Sequence, residues 1–201
     1  MGRLMGVFQK TGLPLVRWSV TLLGAVALVA HAARAEDPLP AAEAFVDAFY
    51  SFEPSQLAPL LRHAGDSRQK ILFYQGWAEG GNYVVMDRQP CRHTEAHAVS
   101  CSITVQDDLV LALGIDFDVT DTFTLSFEDG EIAAVETSSN DPERYHDARD
   151  WTWTNREDLV QAPCKGTPEL EPDPHQCVRA MLQGYVEYAN EQAFPPREPS
   201  R

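Results

Sequence analysis

The chain has 201 residues, and its 30 acidic side chains outnumber its 16 basic ones, which gives a formal net charge of −14. Nucleic-acid binding and adhesion to anionic lipid both require clustered Lys or Arg, and the sequence contains no basic run. The composition therefore excludes a nucleic-acid partner and favours a solubilising acidic surface.

Residues 1–35 have the composition of an export signal. They include four basic residues and no acidic one, and an uncharged stretch rich in Leu, Val and Ala runs from Ser19 to Ala30. This run is shorter than the roughly 20 residues needed to span a bilayer, and Ala33 and Ala35 follow it in an Ala-x-Ala cleavage pattern. We expect cleavage after Ala35, which leaves no stable membrane anchor; an uncleaved signal anchor is the alternative.

The sequence after the leader has the length of one domain. Cleavage leaves 166 residues with 12 basic and 30 acidic side chains, a formal charge of −18. We expect a single domain over residues 36–194, exported to the periplasm or beyond the cell, and a disordered tail over residues 195–201.

All four cysteines lie after the leader, and an even number of cysteines in an exported chain predicts disulfides. Three pairings are possible. We favour Cys91 with Cys101 and Cys164 with Cys177, because each pair flanks its own short loop. A structural zinc site is the rival interpretation, but neither pair has the Cys-x₂₋₄-Cys spacing typical of such sites.

The first half of the domain has helical periodicity. Asp37 and Pro38 are typical of a helix start, and apolar residues then recur at the spacing of one helical face. Pro54 opens a second short helix. Ser67 is the predicted cap of a third, which ends at the Gly-Gly-Asn of residues 80–82.

From Tyr83 onward the apolar period changes to two, as in β-strands. One strand begins there and ends before Pro90, and a half-buried strand covers residues 99–106. Residues 109–113 fit a turn of helix or a strand equally well. The pair Trp151 and Trp153, separated by Thr, predicts a further short strand, and a last amphipathic helix begins near Val178.

The strongest local signal is Asp129-Gly130, the type I′ turn of a two-residue hairpin between strands at 117–127 and 131–139. Regular pairing from Glu128 opposite Glu131 fixes the predicted register. It places Phe127 opposite Ile132, Leu125 opposite Ala134, Phe123 opposite Glu136 and Asp121 opposite Ser138.

Helices followed by antiparallel strands predict an α+β domain, with N-terminal helices packed on one face of a curved sheet and an additional C-terminal helix. The stretch from Ala41 to about Trp153 resembles the NTF2-like, SnoaL-like superfamily. The resemblance rests on the helix at 41–50, the short helix at 54–61 and the hairpin at 127–133. It implies a cone-shaped domain enclosing an apolar pocket, in a superfamily that contains isomerases, dehydratases, cyclases and non-catalytic binding domains.

Asp121 and Glu136 are the candidate catalytic residues. Asp121 interrupts an otherwise apolar alternation on its strand, and the predicted register places Ser138 opposite it and Glu136 diagonally within reach. If this face lines a pocket, burial and the neighbouring acid raise one carboxyl pKa, which suits a general acid or base. The alternative is that both acids lie at the solvated end of the sheet.

Aromatic residues are candidates for the pocket wall, because ligand cavities are mostly apolar with a few polar groups. Core packing is the competing interpretation, particularly for Trp77. The predicted ligand-binding residues are Trp77, Tyr83, Phe123, Ser138, Trp151 and Trp153.

We expect no cofactor and no metal ion. His93 and His97 are four residues apart, but they lack the adjacent Glu of the zincin motif and lie in a predicted loop. No Gly-x-Ser-x-Gly, P-loop or dinucleotide-binding Gly pattern occurs.

Two functions follow from these features. The first is an exported pocket domain that binds a small apolar or amphipathic ligand, or a protein partner, with a homodimer left open. The alternative is a cofactor-free lyase, isomerase or hydratase in which Asp121 or Glu136 is the general base and Tyr83 or His146 the second group.

Export gives a direct prediction. We expect the mature protein to begin at Glu36, because the leader has the order of charge, apolar run and small residues that signal peptidase reads. N-terminal sequencing of the protein recovered from the cell envelope or medium checks this, and a mature chain that still begins at Met1 would contradict it.

Overall fold

The structure is a computed structural model that describes residues 37–193. The predicted leader with its cleavage site after Ala35 and the predicted tail at 195–201 lie outside these residues. Within them the chain forms an α+β fold, as predicted. Its elements in order are α1 Leu39–Tyr50, α2 Pro54–Leu60, α3 Ser67–Gly80, β1 Val84–Arg88, β2 Arg92–Glu95, β3 Ala98–Gln106, α4 Asp108–Ala112, β4 Val119–Glu128, β5 Glu131–Ser139, α5 Glu143–Asn155, α6 Glu157–Lys165 and α7 Pro174–Ala193.

The strands form one antiparallel sheet in the order β1-β3-β4-β5, and β2 also pairs with β3. β1 pairs with the second half of β3 and β2 with the first half. Cys91 lies between β1 and β2 and is bonded to Cys101 of β3, which confirms that predicted pairing. The disulfide therefore ties the connection between β1 and β2 to the central part of the sheet.

One face of the sheet is apolar and packs against the helices. Alternate residues of β3 and β4 are buried there, and the ring of Phe123 on β4 lies 5.3 Å from that of Phe45 and 4.8 Å from that of Phe49, both on α1. Fully burying a side chain of this size contributes roughly 1.5–3 kcal/mol. This alternation is the period of two that the sequence shows, and it fixes which side of β4 faces α1.

Polar contacts hold α1 in position. Arg88 of β1 forms ion pairs with Glu43 and Asp47, and the Glu43 carboxylate also accepts a 2.7 Å hydrogen bond from the Cys91 backbone N–H. At the other end of α1, the buried amide of Gln75 donates to the carbonyls of residues 48 and 49, at 2.9 and 3.0 Å. Those carbonyls lie in the last turn of α1, where helical partners are missing.

The start of α3 differs from the prediction, because Ser67 does not cap the helix. It is the first helical residue, after Asp66 at the N-cap position, and its hydroxyl donates to the Ala64 carbonyl at 2.6 Å. The same oxygen accepts the backbone N–H of Val135 on β5 at 3.1 Å. Ser67 thus joins α3 to the sheet edge formed by β5.

The hairpin register is correct only near the turn. Glu128 and Phe127 pair with Glu131 and Ile132 as predicted, but Ala133 is an extra residue in β5, and the register shifts by one beyond it. The observed pairs are Ser126 with Ala134, Leu125 with Val135, Thr124 with Glu136, Phe123 with Thr137, Thr122 with Ser138 and Asp121 with Ser139. Because side chains alternate along a strand, this β-bulge turns Glu136 to the face opposite Asp121.

The predicted strand at Trp151 and Trp153 is wrong, since both residues lie in helix α5. Tyr145, Ala148 and Thr152 are the buried residues of α5, at three- and four-residue spacing, and their burial selects the helix over the local Trp-Thr alternation. The two indoles therefore do not share a face. The segment at 109–113, which fits either a helix or a strand from its sequence, lies in helix α4 as far as Ala112. The side chain of Asp107 caps this helix and accepts the Val110 N–H at 2.9 Å.

The last helix forms as predicted and packs against α3, α4, α5 and α6. The predicted Cys164–Cys177 disulfide is present and joins α7 to α6. The described residues include no helix both long and apolar enough to cross a bilayer.

The crossing of α5 and α7 is close enough to be tested. A Cβ placed on Gly184 of α7 would overlap the side chain of Thr152 on α5, which is fully buried. We expect Gly184→Ala to destabilise the protein, because overpacking costs about 1–3 kcal/mol and outweighs the roughly 1 kcal/mol gained in helix propensity. Urea denaturation measures the change, and adding Thr152→Ala to this variant should restore part of the loss. Unchanged stability of the single variant would refute the close crossing.

Candidate functional site

A cavity of about 280 Å³ lies between α3, the ends of β4 and β5, and α5. Its aromatic wall consists of Phe73, Tyr74, Trp77, Tyr83 and Tyr145. Its polar residues are Asp121, Thr137, Ser138, Ser139 and Asp141. The three hydroxyl residues are exposed and form the rim, whereas Asp121 is only 3 % exposed and lies at the base.

The helices and the sheet together position Asp121. It occupies the helix-facing side of β4, two residues before Phe123, so the apolar alternation of the strand directs its carboxylate towards α1 and α3. The hydroxyl of Tyr50, at the end of α1, donates a 3.2 Å hydrogen bond to Asp121 Oδ2. Tyr50 reaches this position because the last turn of α1 packs its rings against Phe123.

Burial raises the pKa of Asp121 to about 6. The phenols of Tyr74 and Tyr50 favour the charged form and counteract part of the rise, while the nearby carboxylates of Asp141 and Asp107 add to it. A carboxyl group with such a pKa exchanges its proton near neutral pH. This is the property that a general acid or base requires.

The phenols around Asp121 remain protonated at neutral pH. Burial raises the pKa of Tyr50, Tyr74, Tyr83 and Tyr145 above the ordinary value of 10.0, and for all but Tyr145 the charge of Asp121 adds to the effect. These side chains therefore supply neutral hydrogen-bond donors and aromatic surface.

Asp107 is a second buried carboxylate near the cavity. One oxygen caps α4, whereas Oδ2 has no hydrogen-bond partner among residues 37–193. Burial raises its pKa to about 6, and the charges of Asp141 and Asp108 contribute. The sequence signal for Asp107 is its position before an apolar run, which is typical of an N-cap.

The structure brings only some of the predicted site residues together. Trp77, Tyr83, Asp121 and Ser138 line the cavity. Phe123 lies in the core against α1 and is fully buried. Glu136, predicted as the partner of Asp121, is exposed and faces away because of the bulge at Ala133, so it is no longer a candidate.

The two tryptophans of α5 also lie outside the cavity over Asp121. Trp151 packs against Tyr188 of α7, with 6.0 Å between ring centroids. Trp153 lies under the Lys165 ammonium and lines a second cavity of about 100 Å³, which shares Trp77 and Tyr145 with the first. His146, a candidate second group, contacts Arg149 on the same helix and does not line the cavity over Asp121.

Three functional candidates were missed from the sequence. Tyr50 and Tyr74 lie on helices next to core positions, and their approach to Asp121 depends on how α1 and α3 pack. Asp141 follows β5 and accepts a hydrogen bond from the Ser139 hydroxyl at 2.5 Å. Its position after the strand does not indicate a site residue, because the bulge in β5 determines which residues at the end of that strand face the cavity.

Within residues 37–193 no group of three or more His, Cys, Asp or Glu side chains is arranged to hold a metal ion. His93 lies on β2 and contacts Asp37, whereas His97 lies in the turn before β3. The cavity therefore offers one buried carboxylate, neutral phenols and aromatic surface.

Comparison of the chain with family models, curated proteins and solved structures found no match.

Asp121 predicts a pH-dependent stability. The folded protein holds this proton up to about pH 6, whereas the unfolded chain releases it near the ordinary value of 3.8. The native state therefore binds more protons than the unfolded state between these values, and this group makes the protein less stable as pH rises from about 4 to about 6. We expect Asp121→Asn to remove this loss and to raise the free energy of unfolding at pH 7 by up to about 3 kcal/mol.

Urea denaturation of wild type and variant at pH 4 and pH 7 measures this difference. Asp118→Asn removes an exposed carboxylate from the segment before β4 and should change stability by no more than about 0.5 kcal/mol. Equal effects of Asp121→Asn at both pH values would show that the buried carboxyl titrates at its ordinary pKa.

Proposed function

We propose that this protein is an exported binding domain that holds a small amphipathic ligand in the cavity over Asp121. The observation that carries the proposal is the composition of this cavity, five aromatic side chains around one buried carboxylate. Ligand sites are typically concave, mostly apolar and equipped with a few convergent polar groups. The exposed hydroxyl residues of β5 give a ligand access from solvent.

Two further features support export. Both cysteine pairs are disulfide-bonded, a state that persists in oxidising compartments and is rare in the cytosol. The leader has the features of a cleavable signal peptide. We infer that the domain acts in the periplasm or outside the cell.

The likeness to NTF2-like and SnoaL-like domains is part of the proposal. Three helices precede the sheet, and the cavity lies between the helices and the apolar face of the sheet. Such an arrangement is compatible with that superfamily, and it favours binding of a small ligand over binding of a protein partner as the main function.

A second candidate function rests on the carboxyl of Asp121. Its pKa of about 6 and its place at the base of an aromatic cavity suit a general base in a cofactor-free lyase, isomerase or hydratase. Tyr83 is the cavity phenol that the sequence already marked as the second group. Under this function Asp121→Asn abolishes turnover of the bound compound, whereas a binding domain never converts it.

Obstructing the cavity tests the binding function. Thr137 lies at the rim on the helix-facing side of β5, so Thr137→Phe should fill the entrance. Ser126→Phe adds the same side chain at an exposed position on the other face of the sheet and is the matched control. We expect the neutral fluorescent probe N-phenyl-1-naphthylamine to bind wild type and Ser126→Phe, and to bind Thr137→Phe at least about tenfold more weakly.

Native mass spectrometry of the same three proteins, purified from their own cell envelope, gives a second readout. A small molecule carried by wild type and by Ser126→Phe should be absent from Thr137→Phe. Equal probe binding and equal cargo in the two Phe variants would overturn the proposal that this cavity is the binding site.

A further inference from the structure

Resting on the proposed function, we infer that the ligand is a small organic cation, a protonated amine or a quaternary ammonium compound. Its charge lies opposite the carboxylate of Asp121, and its alkyl groups contact the aromatic wall. The inference names the chemical class of ligand and follows from the charges and rings that face the cavity.

The first argument is the absence of a compensating positive charge. The residues that line the cavity include two carboxylates, Asp121 and Asp141, and no Lys, Arg or His. None of the ion pairs formed among residues 37–193 involves these two groups or Asp107. Arg149 lines the smaller second cavity and is paired with Asp150.

The second argument is the cost of leaving a carboxylate buried without a counterion. Asp121 accepts a hydrogen bond from the neutral phenol of Tyr50, but a neutral donor offsets only part of the lost hydration. A cationic ligand would supply the missing charge where it is most effective, away from bulk water. An anionic ligand would be repelled by both carboxylates.

The third argument is the aromatic wall. The faces of Trp and Tyr rings carry negative electrostatic potential and attract cations, including the quaternary ammonium groups that bind in aromatic cages. Trp77, Tyr74, Tyr83 and Tyr145 all line the cavity. A neutral ligand would make the apolar contacts, but it would neither be attracted to the ring faces as a cation is nor neutralise the charge of Asp121.

The net charge of the chain supports the same class. A formal charge of −14 attracts cations from solution and raises their rate of encounter with the protein. Such a general attraction does not select a site. The buried carboxylate and the rings do, because they act at short range inside the cavity.

A pair of isosteric probes separates charge from shape. Choline and 3,3-dimethyl-1-butanol have the same size and branching, but only choline carries a positive charge. We expect isothermal titration calorimetry to give choline an affinity at least about tenfold higher than that of the alcohol, the size of effect that one desolvated cation–π contact provides.

Two variants test which residues produce this preference. Asp121→Asn should remove most of the tenfold preference, while Glu136→Gln, which removes an exposed carboxylate from the other face of the same sheet, should retain it. Trp77→Leu keeps the carboxylate charge but removes one ring, so it should weaken the binding of choline more than that of the alcohol.

The outcomes distinguish this inference from the proposed function. Equal affinities for the two probes, or a preference that survives in Asp121→Asn, would overturn the cationic class while leaving the cavity as a binding site. Absence of choline binding to a protein that still binds N-phenyl-1-naphthylamine would do the same. Only loss of the difference between Thr137→Phe and Ser126→Phe bears against the binding function itself.

Discussion

The Asp121 carboxylate is buried on the apolar face of the sheet, and the arrangement of the residues around it depends on this burial. A charge in this position loses most of its hydration and must be given other partners. The fold provides the Tyr50 hydroxyl from the end of α1 and the phenol of Tyr74 from α3, both neutral. It also leaves a cavity above the carboxylate instead of packing a side chain onto it. The cost of burial is therefore reduced rather than removed, and the raised pKa of Asp121 reflects what remains.

The helices can meet this constraint because a few specific contacts determine their positions. Gln75 bonds to the last turn of α1 and holds the end of that helix, with Tyr50, beside the sheet. Ser67 fixes the start of α3 to the edge strand β5. On its other side, α3 approaches α7 at glycines, since a Cβ on Gly80 would press against Val178. The wall of the cavity is thus built on a helix that is held at both ends.

Local patterns predicted most of this fold, and long-range contacts account for what they missed. The Asp129-Gly130 turn and the alternation in β3 and β4 act over a few residues, and the paired cysteines are only 10 and 13 residues apart. These features can therefore be predicted from the sequence alone. The extra residue at Ala133 has no such signature, since small residues are compatible with regular strand and bulge alike. The helix at Trp151 formed against a local β-like alternation, because its other side is buried against α7. Asp121 was recognised from its strand, but its partners come from helices distant in sequence.

The bulge at Ala133 determines which alternate residues of β5 face the helices and which face the opposite side of the sheet. With the bulge, Val135, Thr137 and Ser139 face the helices, and Glu136 points away. Deleting one residue at this point would exchange the two sets and bring a glutamate inside. The chemistry of the cavity therefore depends on an alanine that has no functional group. In a lineage of such proteins, insertions and deletions in this hairpin would alter ligand preference more abruptly than any substitution at the rim.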